Sequence, residues 1–183
     1  MIKIGLTGNI ASGKSTVEAV IAETGYKVID LDKISHELLN TICKDEILKL
    51  FGTTERKKIA EIVFNDKNKL KKLENIIHPK LKEYVSDYFE KNKNEKAVFV
   101  SGALIYEAGF SELFDKIIFV DSDKNIRLKR LMKRNSLKKE EALFRISAQN
   151  SDYKNLADFV IVNNATEDEL RKNTQKALNT LLN

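Results

Sequence analysis

The sequence predicts an α/β protein: a five-stranded parallel sheet with helices on both faces, a helical insertion able to hold a substrate, and a helical lid. Three observations lead there. Five short runs rich in β-branched residues, 2–7, 27–30, 97–101, 116–121 and 158–163, alternate with stretches of helical periodicity. Three of them, containing Val98-Phe99-Val100, Ile117-Ile118-Phe119-Val120 and Phe159-Val160-Ile161-Val162, are almost continuously apolar, as suits strands covered on both sides. Each of the five ends on a polar residue (Thr7, Asp30, Ser101, Asp121, Asn163), and ligands gather at the carboxyl edge of such sheets.

The first strand runs into Gly8-Asn9-Ile10-Ala11-Ser12-Gly13-Lys14-Ser15-Thr16, a complete phosphate-binding loop of the pattern Gly-x-x-x-x-Gly-Lys-[Ser/Thr]. Gly8 and Gly13 permit backbone conformations that a side chain would block, so that successive amides turn inward around an anion. Lys14 then reaches the β- and γ-phosphates, and the Ser15 hydroxyl helps to hold Mg²⁺. Behind the loop, Val17, Val20 and Ile21 fall at helical spacing over 15–24, so a helix N-terminus adds its partial positive charge. Strand, loop and helix together imply a nucleoside-triphosphate site.

The second strand, 27–30, leads into Val28-Ile29-Asp30-Leu31-Asp32, two carboxylates at the sheet's carboxyl edge. If the extended conformation persists, alternation puts both on one side near the phosphate loop. A carboxylate there suits a general base or a metal-side ligand, and Asp32 is the choice; the alternative is that Asp30 ends the strand and Asp32 caps the next helix. The stretch before the third strand, 34–95, is far longer than one crossover helix needs. Ile34, Leu38, Leu39 and Ile42 form one apolar face. Ile59, Ile62 and Val63 form a second, and Leu70, Leu73, Ile76 and Ile77 a third. Pro79, the only proline, stands where a further helix would begin, carrying Leu81, Val85 and Phe89.

After the fourth strand, Arg127, Lys129, Arg130, Lys133 and Arg134 crowd one helix, Asn135-Ser136 breaks it, and 138–148 resumes a helix with Arg145. A solvated cationic surface is the ordinary reading of such a helix. Beside a phosphate site, a hinged pair of cationic helices reads instead as a lid over 127–149 that closes on a transferring group. The expected organisation is one domain over 1–183, with a core (1–33, 96–126, 150–183), the insertion (34–95) and the lid.

Composition narrows the partners. The chain has 183 residues and a formal net charge of +5, but its lysines are dispersed rather than gathered with aromatics, which argues against nucleic acid and fits a phosphorylated substrate. No run approaches the ~20 apolar residues of a membrane span. The lone Cys43 forms no internal disulfide, and the start has no signal-peptide layout, so the expected compartment is the cytoplasm. Oligomeric state is left open. No aspartate is followed three residues later by glycine, which disfavours a GTPase, and a motor-type apolar run ending in Asp-Glu is absent. Attack of a bound hydroxyl on the γ-phosphate of ATP remains, with another metabolite kinase or a binding-only protein as the competing readings.

Along nearly its whole length the sequence resembles the dephospho-coenzyme A kinase family of P-loop kinases. The resemblance is carried by 5–16, by Val28 to Ile34, by Arg56 with Ile59, Val63 and Phe64, and by His78-Pro79. It continues through Leu104-Ile105-Tyr106-Glu107, Arg130 to Arg134, Arg145 to Gln149, and Ala157 to Asn164. It implies ATP- and Mg²⁺-dependent phosphorylation of the ribose 3′-hydroxyl of dephospho-coenzyme A. It further implies Asp32 as base and metal-side ligand with Ser15, Lys14 on the phosphates, and Arg134 and Arg145 closing on the transferring group. Asn163 and Asn164 then lie beside the adenine, and Thr7, Asp32, Arg56 and His78 on the acceptor. For His78 a packing role stands equally beside substrate contact. Departures from the family pattern are Ala103 for a usual proline, Ser101 for a frequent acid, Arg127 for glutamine, Ala165 for glycine, and Glu55 for aspartate or asparagine.

Overall fold

The computed structural model describes residues 1–64, 66–149 and 151–182. Five strands, β1 (Ile2–Gly8), β2 (Lys27–Asp30), β3 (Ala97–Ser101), β4 (Lys116–Asp121) and β5 (Phe159–Val162), form one sheet in the order β2-β3-β1-β4-β5. The pairs β1–β3, β1–β4 and β4–β5 are parallel, with Leu6 opposite Ser101 on one side and Ile118 on the other. The phosphate loop therefore leaves the central strand. Strand β3 stands between β1 and β2, so the second strand in sequence is not the neighbour of the first.

By packing, the chain divides into two compact units, Met1–Ile29 with Asn94–Asn183, and Asp30–Lys93. In the first, α1 (Lys14–Glu23) and α8 (Glu167–Leu182) pack together. Val17 and Ile21 of α1 and Leu170, Ala177 and Leu178 of α8 share one core with Ile4, Leu6, Phe99, Ile118, Val120 and Ile161 of the sheet. Burying these side chains, at roughly 1.5–3 kcal/mol each, is what holds the sheet's covered face. After β4 come α6 (Lys124–Asn135) and α7 (Lys139–Ser147), separated at Ser136, which takes a left-handed φ of 50°. The break expected at 135–136 is thus a real helix end.

The second unit contains α2 (Leu31–Asn40), α3 (Lys44–Phe51), α4 (Arg56–Phe64) and α5 (Lys67–Lys91), with α2, α3 and α4 packed on α5. Three expectations need correcting here. Pro79 does not begin a helix; it lies inside α5. Buried Ile77, Leu81, Val85 and Phe89 recur every fourth residue across it, so one continuous apolar face outweighs the hydrogen bond that proline cannot donate. Ile42 does not extend the α2 face. The N–H groups of Thr41 and Cys43 both return to the Leu38 carbonyl, which ends the helix, turns Ile42 outward at 69% exposure, and buries Cys43 instead. The face expected on α4 is also narrower, with Ile59 alone fully buried.

Gly8 closes β1 against β4, and a Cβ there would stand 2.4 Å from the Val120 carbonyl oxygen. Backbone in a central strand cannot yield. Gly8→Ala is therefore expected to lower stability by more than ~2 kcal/mol in urea unfolding; a loss under ~0.5 kcal/mol would show that the strand accommodates the methyl group.

Candidate active site

The loop's shape follows from two left-handed residues, Ala11 at φ 61° and Gly13 at φ 103°. Between them the Ser12 N–H returns to the Asn9 carbonyl at 3.0 Å, so the chain curls before α1 begins at Lys14. Gly13 is the N-cap and supplies no side chain, and no acidic residue occupies the first turn. The amides opening α1 thus keep their donor capacity and the helix end its positive character. Ser12 is fully buried, and its Oγ has no hydrogen-bond partner among the described residues. A helix N-terminus without a side-chain cap, beside a buried hydroxyl, is a setting that suits an anion.

Several contacts brace this loop within the first unit. The Asn163 side-chain amide donates to the Ser12 carbonyl at 2.7 Å; a Cβ on Gly13 would lie 2.3 Å from that same nitrogen. Arg130 of α6 donates to the Asn163 carbonyl and to its Oδ1, both at 3.2 Å, and to Ser122 Oγ at 3.3 Å. Asn9 donates to Asp121 at 3.1 Å, tying the loop's start to the end of β4. Across the loop, the Ile10 N–H donates to Gln149 Oε1 at 2.6 Å. Ile10 and Ala11 pack against Leu131, Ala142 and Ile146, so the apolar contact of α6 and α7 rests on the phosphate loop itself.

Lys14 Nζ donates to Glu18 Oε1 and to Ser101 Oγ, each at 2.7 Å. Beside the loop, a cavity of about 300 Å³ is lined by Gly13, Thr16, Arg130, Asn163, Glu167 and Leu170. Its lining draws on α1 (Thr16), α6 (Arg130), the residue after β5 (Asn163) and α8 (Glu167 and Leu170) as well as the loop.

The expected residues fall into groups. The loop, Lys14, Ser15 and Asn163 come together around the N-terminus of α1. Thr7 is buried at the end of β1, its Oγ1 3.5 Å from the Ala103 carbonyl. Arg134 lies exposed in the last turn of α6, donating to Asn135 at 2.9 Å; Arg130, one turn earlier, is the arginine turned onto Asn163. Arg145 is exposed on α7. The Asn164 side chain accepts from the Asp123 N–H at 2.8 Å, holding the start of α6.

In the second unit, β2 ends at Asp30 and α2 starts at once, so Asp30 and Asp32 do not alternate along an extended chain. Asp30, not Asp32, is the helix cap: its carboxylate accepts the Asp32 N–H at 2.9 Å and faces Lys33 at 3.8 Å. Asp32 occupies the first turn of α2. Arg56 opens α4, exposed. His78 is half-buried in α5, and burial pulls its imidazole below its ordinary pKa, with Glu74 opposing and Lys82 assisting.

Sequence reasoning did not single out Arg130, Glu18, Gln149 or Glu167 as site residues. For Arg130 the signal was present: it lies four residues before Arg134, on the same helix face. Gln149 and Glu18 are brought in by tertiary contacts that no local pattern encodes. Arg127 is buried on α6, donating Nε to the Ser122 carbonyl at 2.9 Å; burial lowers its guanidinium pKa, against the pull of Asp121.

A family model described as dephospho-CoA kinase matches residues 2–169. The chain belongs to the dephospho-CoA kinase family. It is 38% identical over 189 residues to the dephospho-CoA kinase of Fusobacterium nucleatum subsp. nucleatum, with 97% of each chain covered. Among solved structures, TT1252 from Thermus thermophilus superposes with a TM-score of 0.89 at 31% identity, covering 100% of this chain and 98% of that one. Dephospho-CoA kinase from Campylobacter jejuni gives a TM-score of 0.72 at 31% identity, covering 98% and 96%.

Asn163 joins loop, strand end and α6 through one buried side chain. Asn163→Ala leaves the Ser12 carbonyl and the Arg130 guanidinium short of partners, each a loss of ~1–3 kcal/mol when buried. Urea unfolding is expected to show a stability loss of ~2 kcal/mol, and calorimetric titration a roughly tenfold weaker binding of ATP. Wild-type affinity and stability together would show that the loop holds its shape without this brace.

Proposed function

We propose that this chain transfers the γ-phosphoryl group of ATP to the ribose 3′-hydroxyl of dephospho-coenzyme A, giving coenzyme A and ADP. The observation that carries the reading is the family match over 2–169 on a chain whose phosphate loop is complete and braced. The loop fits a triphosphate: its donors are backbone amides, the Lys14 ammonium and the hydroxyls of Ser12 and Ser15. Among the described residues no group of three or more His, Cys, Asp or Glu could hold a metal alone. That suits Mg²⁺, which keeps several waters and is shared between a few protein oxygens and the phosphates. Ser15 and Asp32 are the protein oxygens we assign to it.

In this scheme the phosphate loop and the N-terminus of α1 cradle the β- and γ-phosphates. Lys14 draws off charge that builds on the equatorial oxygens. Asp32 accepts the proton of the acceptor hydroxyl as its oxygen bonds to the γ-phosphorus, while the bond from that phosphorus to the bridging oxygen breaks and ADP leaves. Capping by Asp30 fixes the turn that presents Asp32. We assign Thr7, Arg56 and His78 to the acceptor, and Arg134 and Arg145 to the transferring group, which their exposure leaves them able to approach as α6 and α7 close. The cavity beside Gly13 and Asn163 takes the nucleoside of ATP, with Asn164 fixing the loop beyond Asn163. The partner is a small molecule, with no nucleic acid, and the reaction belongs to the cytoplasm; no described helix is long and apolar enough to cross a membrane.

Asp32→Asn keeps the shape and removes the proton acceptor. With dephospho-coenzyme A as acceptor its kcat is expected to fall at least ~10³-fold while the calorimetric Kd for ATP stays within ~3-fold. Wild-type turnover in this variant would remove Asp32 from the base role.

A further inference from the structure

Lys14 and Glu18 lie four residues apart on α1, and an exposed pair at that spacing contributes only a few tenths of a kcal/mol to a helix. This pair is different in two ways. Its side chains are only 17% and 15% exposed, and a third group from another strand closes the contact into a ring. Ser101, fully buried at the carboxyl end of β3, accepts from the Lys14 ammonium and donates its own proton to the same Glu18 oxygen that Lys14 bonds. Both functions of the hydroxyl are used, and Glu18 Oε1 accepts twice.

An ammonium so placed is already neutralised before any phosphate arrives. Phosphate oxygens that approach Lys14 must share it with the carboxylate or draw it away. In either case the negative charge of Glu18, one helical turn from the loop, opposes them. In a partly dry setting such charge terms are several-fold larger than in water. The acid needed for this sits on α1, and the serine at the end of β3 hands it the contact.

We propose that Glu18 is a positioning residue whose carboxylate, linked through Ser101, competes with nucleotide phosphates for the Lys14 ammonium. It gives the lysine a seat to return to as ADP departs and so keeps nucleotide affinity low enough for release. The proposal rests on the kinase reading above, in which Lys14 meets the phosphates. It concerns ATP and ADP alike and leaves a nucleoside without phosphates unaffected.

The test is titration of MgATP, MgADP and adenosine into the full chain and into Glu18→Gln, with thermal unfolding to confirm that both are folded. Glu18→Gln retains an oxygen able to accept from Lys14 and Ser101 but removes the charge. Its Kd is expected to fall about tenfold for both nucleotides, with adenosine unchanged, an increase in affinity that mere loosening of α1 would not produce. Glu18→Asp, which withdraws the carboxylate by one methylene, is the second variant and is expected to tighten the same two ligands. Unchanged or weaker nucleotide binding in a folded variant, or equal tightening of adenosine, would overturn the proposal while leaving the kinase reading intact. Wild-type protein that binds neither nucleotide would overturn both.

Discussion

A left-handed turn through Ala11 and Gly13, held from outside by the Asn163 amide on the Ser12 carbonyl, is the constraint on which the site depends. Ala11 pays for its conformation with roughly 1–2 kcal/mol, which the surrounding packing must supply. Gly13 meets two demands at once, since its φ of 103° and the approach of Asn163 each exclude a side chain. The result is a loop whose backbone shape is fixed by contacts within the protein. Preorganisation of this kind moves the cost of ordering donors from the binding step to folding.

The bracing also explains why α6 and α7 belong to the site. Their apolar contact rests on Ile10 and Ala11, and Gln149 meets the Ile10 amide. Arg130 reaches back to Asn163, which reaches Ser12. A movement of either helix is thereby transmitted to the phosphate loop through direct contacts. The two helices meet at a left-handed Ser136, with Arg134 exposed two residues before that junction and Arg145 exposed in the last turn of α7.

Much of this was legible in sequence because it is local. Strand runs, the loop motif and the break at 135–136 are encoded over a few neighbouring residues, and the structure follows them within a residue or two. What was not legible depends on tertiary partners. Pro79 looked like a helix start because the rule for proline is local, whereas the apolar repeat from Ile77 to Phe89 that carries α5 through it is longer in range. Asp30 takes the capping role that the alternative reading gave to Asp32, because the strand gives way to the helix without an intervening residue. Ser101 stood out in sequence only as a polar strand end and as a departure from an acid frequent in the family it resembles; in space it contacts the carboxylate of Glu18.

The central claim is that a preorganised phosphate loop serves transfer to one acceptor, and competition between acceptors tests it most directly. ADP release coupled to a reporter enzyme would be followed with ATP and Mg²⁺, offering dephospho-coenzyme A, AMP or adenosine. The account predicts a kcat/KM for dephospho-coenzyme A at least ~100-fold above the other two, a discrimination of about 2.7 kcal/mol. Equal rates with AMP, or no ADP with dephospho-coenzyme A, would contradict it.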